Sequence, residues 1–167
     1  MFSKKISGHE GGVKVKKDKV IKTFNSNYFM YNRLFYRRGE QYYLGRYKSP
    51  CFIEMLSYDD KSITLKNGGK SIGVMERITL PGLDKKHFLK WLKKLKKALA
   101  KHRIYHRDIN PTNILYNEDT DEFKLIDFAW AVRKEDVGDK PSILNPFAKN
   151  DKEAIVKLRK QIKCYEQ

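Results

Sequence analysis

A chain of 167 residues with 40% hydrophobic content can bury one core but has no room for two full domains. No apolar run approaches the roughly 18 residues that a membrane helix needs, and Met1-Phe2-Ser3-Lys4-Lys5 leads into glycine and charge rather than a signal-peptide core, so a soluble, cytoplasmic protein is expected. The formal charge of +16 draws polyanions without naming one: nucleotide phosphates, anionic glycans, acidic lipid headgroups and nucleic acid all fit, while no motif for specific nucleic-acid reading is present.

The first sixty or so residues alternate apolar and charged positions with glycine punctuation, which predicts strands and hairpins. Ile6 precedes the loop Ser7-Gly8-His9-Glu10-Gly11-Gly12, and Val13-Lys14-Val15 and Val20-Ile21-Lys22-Thr23-Phe24 flank a Lys17-Asp18-Lys19 turn. A helix from about Arg33 to Tyr47 is stopped by Pro50. Strands then follow at Phe52 to Tyr58 and Ser62 to Lys66 around an Asp59-Asp60 turn.

Asp84 caps the strongest predicted helix, in which Phe88, Trp91, Leu92, Leu95 and Leu99 recur on one face. Lys90, Lys93, Lys94, Lys97 and Lys101 line the other. This pattern also suits a basic membrane-surface or calmodulin-target helix. A core helix with a solvated lysine face is preferred, because it runs straight into His106-Arg107-Asp108. Two short strands, Ile114 to Tyr116 and Phe123 to Ile126, make a hairpin turning at Asn117 to Asp121. A loop with Gly138, Pro141 and Pro146 leads to a final helix capped near Asp151, with Ile155, Leu158 and Ile162 as its apolar stripe. Cys51 and Cys164 are isolated, without metal-ligand spacing, which predicts reduced thiols.

The stretch His106-Arg107-Asp108-Ile109-Asn110-Pro111-Thr112-Asn113-Ile114-Leu115, followed by Leu125-Ile126-Asp127-Phe128-Ala129, resembles the catalytic core of the protein-kinase-like superfamily. Val20-Ile21-Lys22 is similar to that family's strand-lysine motif, and Glu40 lies 18 residues later in the expected helix. The resemblance implies an ATP- and magnesium-dependent phosphotransferase. Asp108 accepts the proton of an attacking hydroxyl, Asn113 and Asp127 hold magnesium, and Lys22, held by Glu40, meets the α- and β-phosphates. Gly8, Gly11 and Gly12 fall where the family places its phosphate lid, although the loop departs from G-x-G-x-x-G and a plain β-turn is its bland alternative. His106 is read as a backbone prop rather than a base.

For the hinge that would face adenine, Leu65-Lys66-Asn67-Gly68-Gly69 is preferred. The rival reading makes Asn67-Gly68 a hairpin turn, Ile72 to Arg77 the fifth strand and Glu76-Arg77-Ile78 the hinge.

The implied fold is α+β and two-lobed within a single domain: a five-stranded antiparallel sheet plus one helix for about residues 1–66, a hinge at 66–69, and a much reduced helical lobe from about 70 to 167. Asp127-Phe128-Ala129 has alanine where the family has glycine. Asn110 stands where Ser/Thr protein kinases carry lysine, the Ala-Pro-Glu signature is absent, and Trp130-Ala131 looks like small bacterial sugar kinases. A carbohydrate or small-molecule acceptor is therefore expected in preference to a peptide. The alternatives are a minimal Ser/Thr kinase of the Rio type and a pseudokinase scaffold that binds polyanions, with the lysine face touching an anionic polymer or membrane surface.

Overall fold

The structure is a computed structural model, and it describes residues 4–8, 11–24, 40–74, 76–137 and 150–165. The His9-Glu10 turn, residues 33–39 of the expected helix and the 138–149 loop lie outside them. The architecture is α+β, as expected, with several antiparallel sheets and helices around one apolar core.

The largest sheet has five strands: β1 (Lys4–Gly8), β2 (Gly11–Val15), β3 (Lys19–Phe24), β4 (Met55–Tyr58) and β5 (Ser62–Lys66), in the order β1-β2-β3-β5-β4. All neighbours run antiparallel. Period-two alternation puts Ile63 and Leu65 of β5 in the core while Ser62 and Thr64 stay partly exposed. Helix α1, whose described part is residues 40–46, buries Tyr43 and Leu44 in the same core.

Two boundaries differ from the sequence reading. The strand expected from Phe52 begins only at Met55. Phe52 instead forms an isolated parallel bridge with Leu125, and Ile53 N–H donates to Leu125 O at 3.0 Å. The expected loop 7–12 shrinks as well, because β1 runs through Gly8 and β2 starts at Gly11.

The chain leaves β5 through Asn67-Gly68-Gly69 into β6 (Lys70–Ser71), which pairs with β10 (Ile114–Asn117) beside β11 (Glu122–Leu125). Gly69 is sterically required, whereas Gly68 is closely packed against two side-chain tips. A Cβ on Gly68 would lie 2.9 Å from Ile53 Cδ1 and from Leu115 Cδ1, and one on Gly69, at φ +93°, would lie 2.0 Å from Tyr116 O. The rival fifth strand at Ile72 to Arg77 does not form. Those residues make the separate hairpin of β7 (Gly73–Val74) and β8 (Arg77–Ile78), and Glu76 is tied to Lys157 and Gln161.

Helix α2 (Lys85–His102) buries Phe88, Trp91, Leu92, Leu95 and Leu99. Asp84 caps it by accepting from the N–H groups of Lys86 and His87, and Arg103 ends it in the left-handed region at φ 54°. Strand β9 (Ile104–Tyr105) then pairs with β12 (Val132–Arg133), which runs into the short helix α3 (Lys134–Val137). Helix α4 (Asp151–Lys163) packs against α2 through Ala154, Ile155, Leu158 and Ile162.

Candidate active site

Lys22 sits in mid-sheet on β3, paired in register with Val13 on one side and Ile63 on the other. Its Nζ donates to both carboxylate oxygens of Glu40 on α1, at 3.0 and 3.1 Å. Glu40 is almost fully buried, with a side chain only 5% exposed. A buried carboxylate demands a cation, and removing one partner of such a pair costs about 3–5 kcal/mol. The sheet and helix are thereby joined at one ionic contact.

Gly8, Gly11 and Gly12 lie at the end of the β1–β2 hairpin, with Gly8 opposite Gly11 and Ser7 opposite Gly12. At Gly12 a Cβ would come within 2.9 Å of Thr23 Oγ1, whose hydroxyl donates to Gly12 O at 3.0 Å. Asn67 lies at the exit from β5. Its Nδ2 donates to the carbonyls of Lys16 and Lys17, and its Oδ1 accepts from Gly69 N–H, so the side chain is committed to bracing the β2–β3 turn. Any ligand contact at Asn67 or Gly68 would come from the backbone.

The loop between β9 and β10 gathers Asp108, Asn110 and Asn113. Asn110 caps the 3-10 turn Pro111–Asn113 by accepting from Thr112 and Asn113 N–H at 2.9 and 3.2 Å. Its Nδ2 donates to Asp108 Oδ1 at 2.9 Å, while Asn113 Nδ2 donates to Asp108 Oδ2 at 2.6 Å. Both carboxylate oxygens of Asp108 are therefore aimed by side-chain amides fixed on one turn. This answers the missing lysine in part: Asn110 supplies orientation, not charge.

Asp127 follows β11. Ile126 N–H donates to Asn113 O at 2.9 Å, which sets the residue preceding Asp127 against Asn113. Asp127 holds a left-handed backbone at φ 64° and ψ 67°, and its side chain makes no capping hydrogen bond. Strain of this kind persists only where surrounding contacts impose it. Phe128, fully buried between Phe52 and His106 at ring distances of 4.9 and 4.7 Å, supplies those contacts.

These residues fit a hard divalent cation. The Asp127 carboxylate has no hydrogen-bond partner among the described residues, and Asn113, otherwise buried, has an Oδ1 that accepts no hydrogen bond. Magnesium takes one or two protein oxygens and fills its remaining positions with water and phosphate. Consistent with so sparse a ligand set, no group of three or more His, Cys, Asp or Glu that could hold a metal occurs among the described residues.

His106 is a prop, as the sequence suggests. Its Nε2 lies 3.0 Å from Ile126 O and its Nδ1 accepts from Asp108 N–H at 3.3 Å. A carbonyl can only accept and an amide N–H only donate, so the ring is neutral with its proton on Nε2. Burial pushes its pKa down to about 4, against the pull of the Asp127 charge.

One residue escaped the sequence reading. Asp151, taken for the cap of the last helix, is its first residue, and Asn150 caps α4 by accepting from Lys152 and Glu153 N–H. The Asp151 carboxylate reaches back to the loop that follows β9, accepting His106 N–H at 2.6 Å and Arg107 N–H at 2.7 Å. Burial raises its pKa to about 6, with the two N–H donors pulling the other way. The available signal was the pair Asn150-Asp151, which offers one acceptor more than a cap needs.

No model of a known protein family matches this chain, and no curated protein matches it significantly.

Proposed function

We propose that this chain is an ATP- and magnesium-dependent phosphotransferase with a two-lobed protein-kinase-like fold. In this reading the five-stranded sheet and α1 form one lobe, residues 66–69 the hinge, and the remainder a reduced second lobe with nucleotide between them. The single observation that carries the reading is the Lys22–Glu40 pair, formed at 3.0 Å between residues 18 positions apart. Supporting it, Asp108, Asn113 and Asp127 lie at one end of the β10–β11 hairpin, and the Asp127 carboxylate has no hydrogen-bond partner among the described residues.

In this reading each residue has a role that its geometry can support. Lys22, anchored by Glu40, presents its ammonium to the α- and β-phosphates. Asp108, oriented by Asn110 and Asn113, accepts the proton of the acceptor hydroxyl as that oxygen attacks the γ-phosphorus and the bond to the departing ADP oxygen breaks. Asn113 Oδ1 and the Asp127 carboxylate would hold magnesium, which when bound neutralises phosphate charge. His106 and Asp151 fix the loop that carries Asp108.

The acceptor in this reading is a hydroxyl of a carbohydrate or small molecule. The position two after Asp108 is Asn110, whose amide is already engaged with Asp108 Oδ1 and brings no cation to a peptide-presented phosphoryl.

The test is phosphoryl transfer from ATP with magnesium, measured on sugar and polyol acceptors and as autophosphorylation. Asp108→Asn should lower the rate by about 10² to 10⁴, the usual worth of a positioned base, with nucleotide affinity kept. Equal turnover in that variant contradicts the assignment. Serine autophosphorylation that Asp108→Asn abolishes would favour a minimal Ser/Thr kinase over a sugar kinase.

A further inference from the structure

Helix α2 carries eight lysines in 18 residues and no aspartate or glutamate. Seven of them, all but Lys85, are exposed, and six of these, Lys86, Lys90, Lys93, Lys94, Lys97 and Lys101, share one face. At 100° and 1.5 Å per residue they occupy an arc of roughly 100° along about 22 Å of helix. Carboxylates are spent elsewhere. Lys22, Lys66, Lys70, Lys124 and Lys157 each pair with a glutamate, whereas no ion pair holds any of the six α2 lysines among the described residues. An unneutralised row of six like charges costs self-repulsion, and a multivalent anion would relieve it.

From this stripe we infer that α2 is a docking surface for the phosphodiester backbone of a nucleic acid, bound by charge and without base reading. The shape favours a linear partner over a flat one, since the cations form a narrow row on a convex helix. No large apolar side chain is exposed on α2 to enter a bilayer; among the described residues the exposed large hydrophobics are Tyr42, Leu56, Tyr58, Val74 and Val156. The stripe also lacks arginine forks and aromatic platforms, which read bases or stack on them. This inference is independent of the phosphotransferase reading.

The test uses the full chain and a fluorescent mixed-sequence duplex of about 20 base pairs, longer than the stripe at 3.4 Å per base pair. Binding is followed by anisotropy across salt concentrations. Two triple variants remove equal charge, one by Lys90→Gln, Lys93→Gln and Lys97→Gln on α2, the other by Lys152→Gln, Lys160→Gln and Lys163→Gln on α4. All six positions are exposed, and unchanged melting temperatures confirm folding. The expected result is salt-sensitive binding whose log–log salt slope falls by about 0.9 per lysine in the α2 variant, with affinity at least about tenfold weaker. The α4 variant should stay close to wild type. Absence of duplex binding, equal loss in both variants, or tighter α2-dependent binding to phosphatidylserine vesicles than to duplex would each overturn the inference.

Discussion

At the scale of single residues the site is a set of constrained polar groups. Lys22 and Glu40 depend on each other because Glu40 is buried. Lys22→Met leaves that carboxylate uncompensated and should lower stability by about 3–5 kcal/mol, while Glu40→Gln with Lys22 intact should be milder; denaturant melts of the two variants compare them. The pair was legible in the sequence through the resemblance carried by the His106–Leu115 and Leu125–Ala129 stretches, since a strand lysine in a lysine-rich chain is a weak signal alone. Asp151 was not legible as a loop anchor, because its role depends on α4 folding back 44 residues onto Arg107; the adjacent Asn150 and Asp151 signal a spare acceptor but not where it reaches.

Asp151 and His106 also set a pH dependence. Asp151, raised to about 6 from 3.8, holds more protons folded than unfolded between those values, so its contribution to stability falls as pH rises through that window. His106, lowered to about 4 from 6.5, does the opposite: its contribution is present above the unfolded value and lost as pH falls towards 4. Each effect is on the order of 3 kcal/mol, and in the wild type they largely cancel. Asp151→Asn should unmask the His106 slope, giving a protein whose metal-free stability climbs steeply from pH 4 to 6.5. Parallel pH curves for wild type and Asp151→Asn contradict this account.

At the scale of elements, α2 contributes Phe88, Trp91, Leu92, Leu95 and Leu99 to the core and contacts β9, which leads into the loop carrying Asp108. Leu95, fully buried among the core side chains, should cost about 2–5 kcal/mol when cut to alanine. Asp84→Ala, which removes the acceptor for two N–H groups, should cost about 1 kcal/mol. Thermal or denaturant unfolding of both variants checks that ordering. Helix α2 was legible because its 3.6-residue periodicity runs for 18 residues, and the β10–β11 hairpin because two short apolar runs flank the polar turn Asn117 to Asp121. Strands β6, β7, β8, β9 and β12 were not, since each is two residues long and defined only by its partner. Asn67 to Gly69 join β5 to β6, and their glycines answer to contacts with Ile53, Leu115 and Tyr116 that are distant in sequence.

At the scale of the whole molecule, one core links Ile63 and Leu65 of the large sheet, through Phe52, Ile53 and Leu125, to Phe88 and Leu95 of α2 and Leu158 of α4. Lys22 on the five-stranded sheet and Asp127, two residues beyond β11, are carried on that shared core, so a ligand touching both would couple them. The account's central claim is that these residues form a magnesium–nucleotide site. It is tested most directly by the thermal stability of wild type and Asp127→Asn, with and without ATP and magnesium. A ligand at 100 times its dissociation constant adds about 2.7 kcal/mol. The account predicts a magnesium-dependent rise in melting temperature in the wild type that Asp127→Asn loses, and no rise in either protein would contradict it.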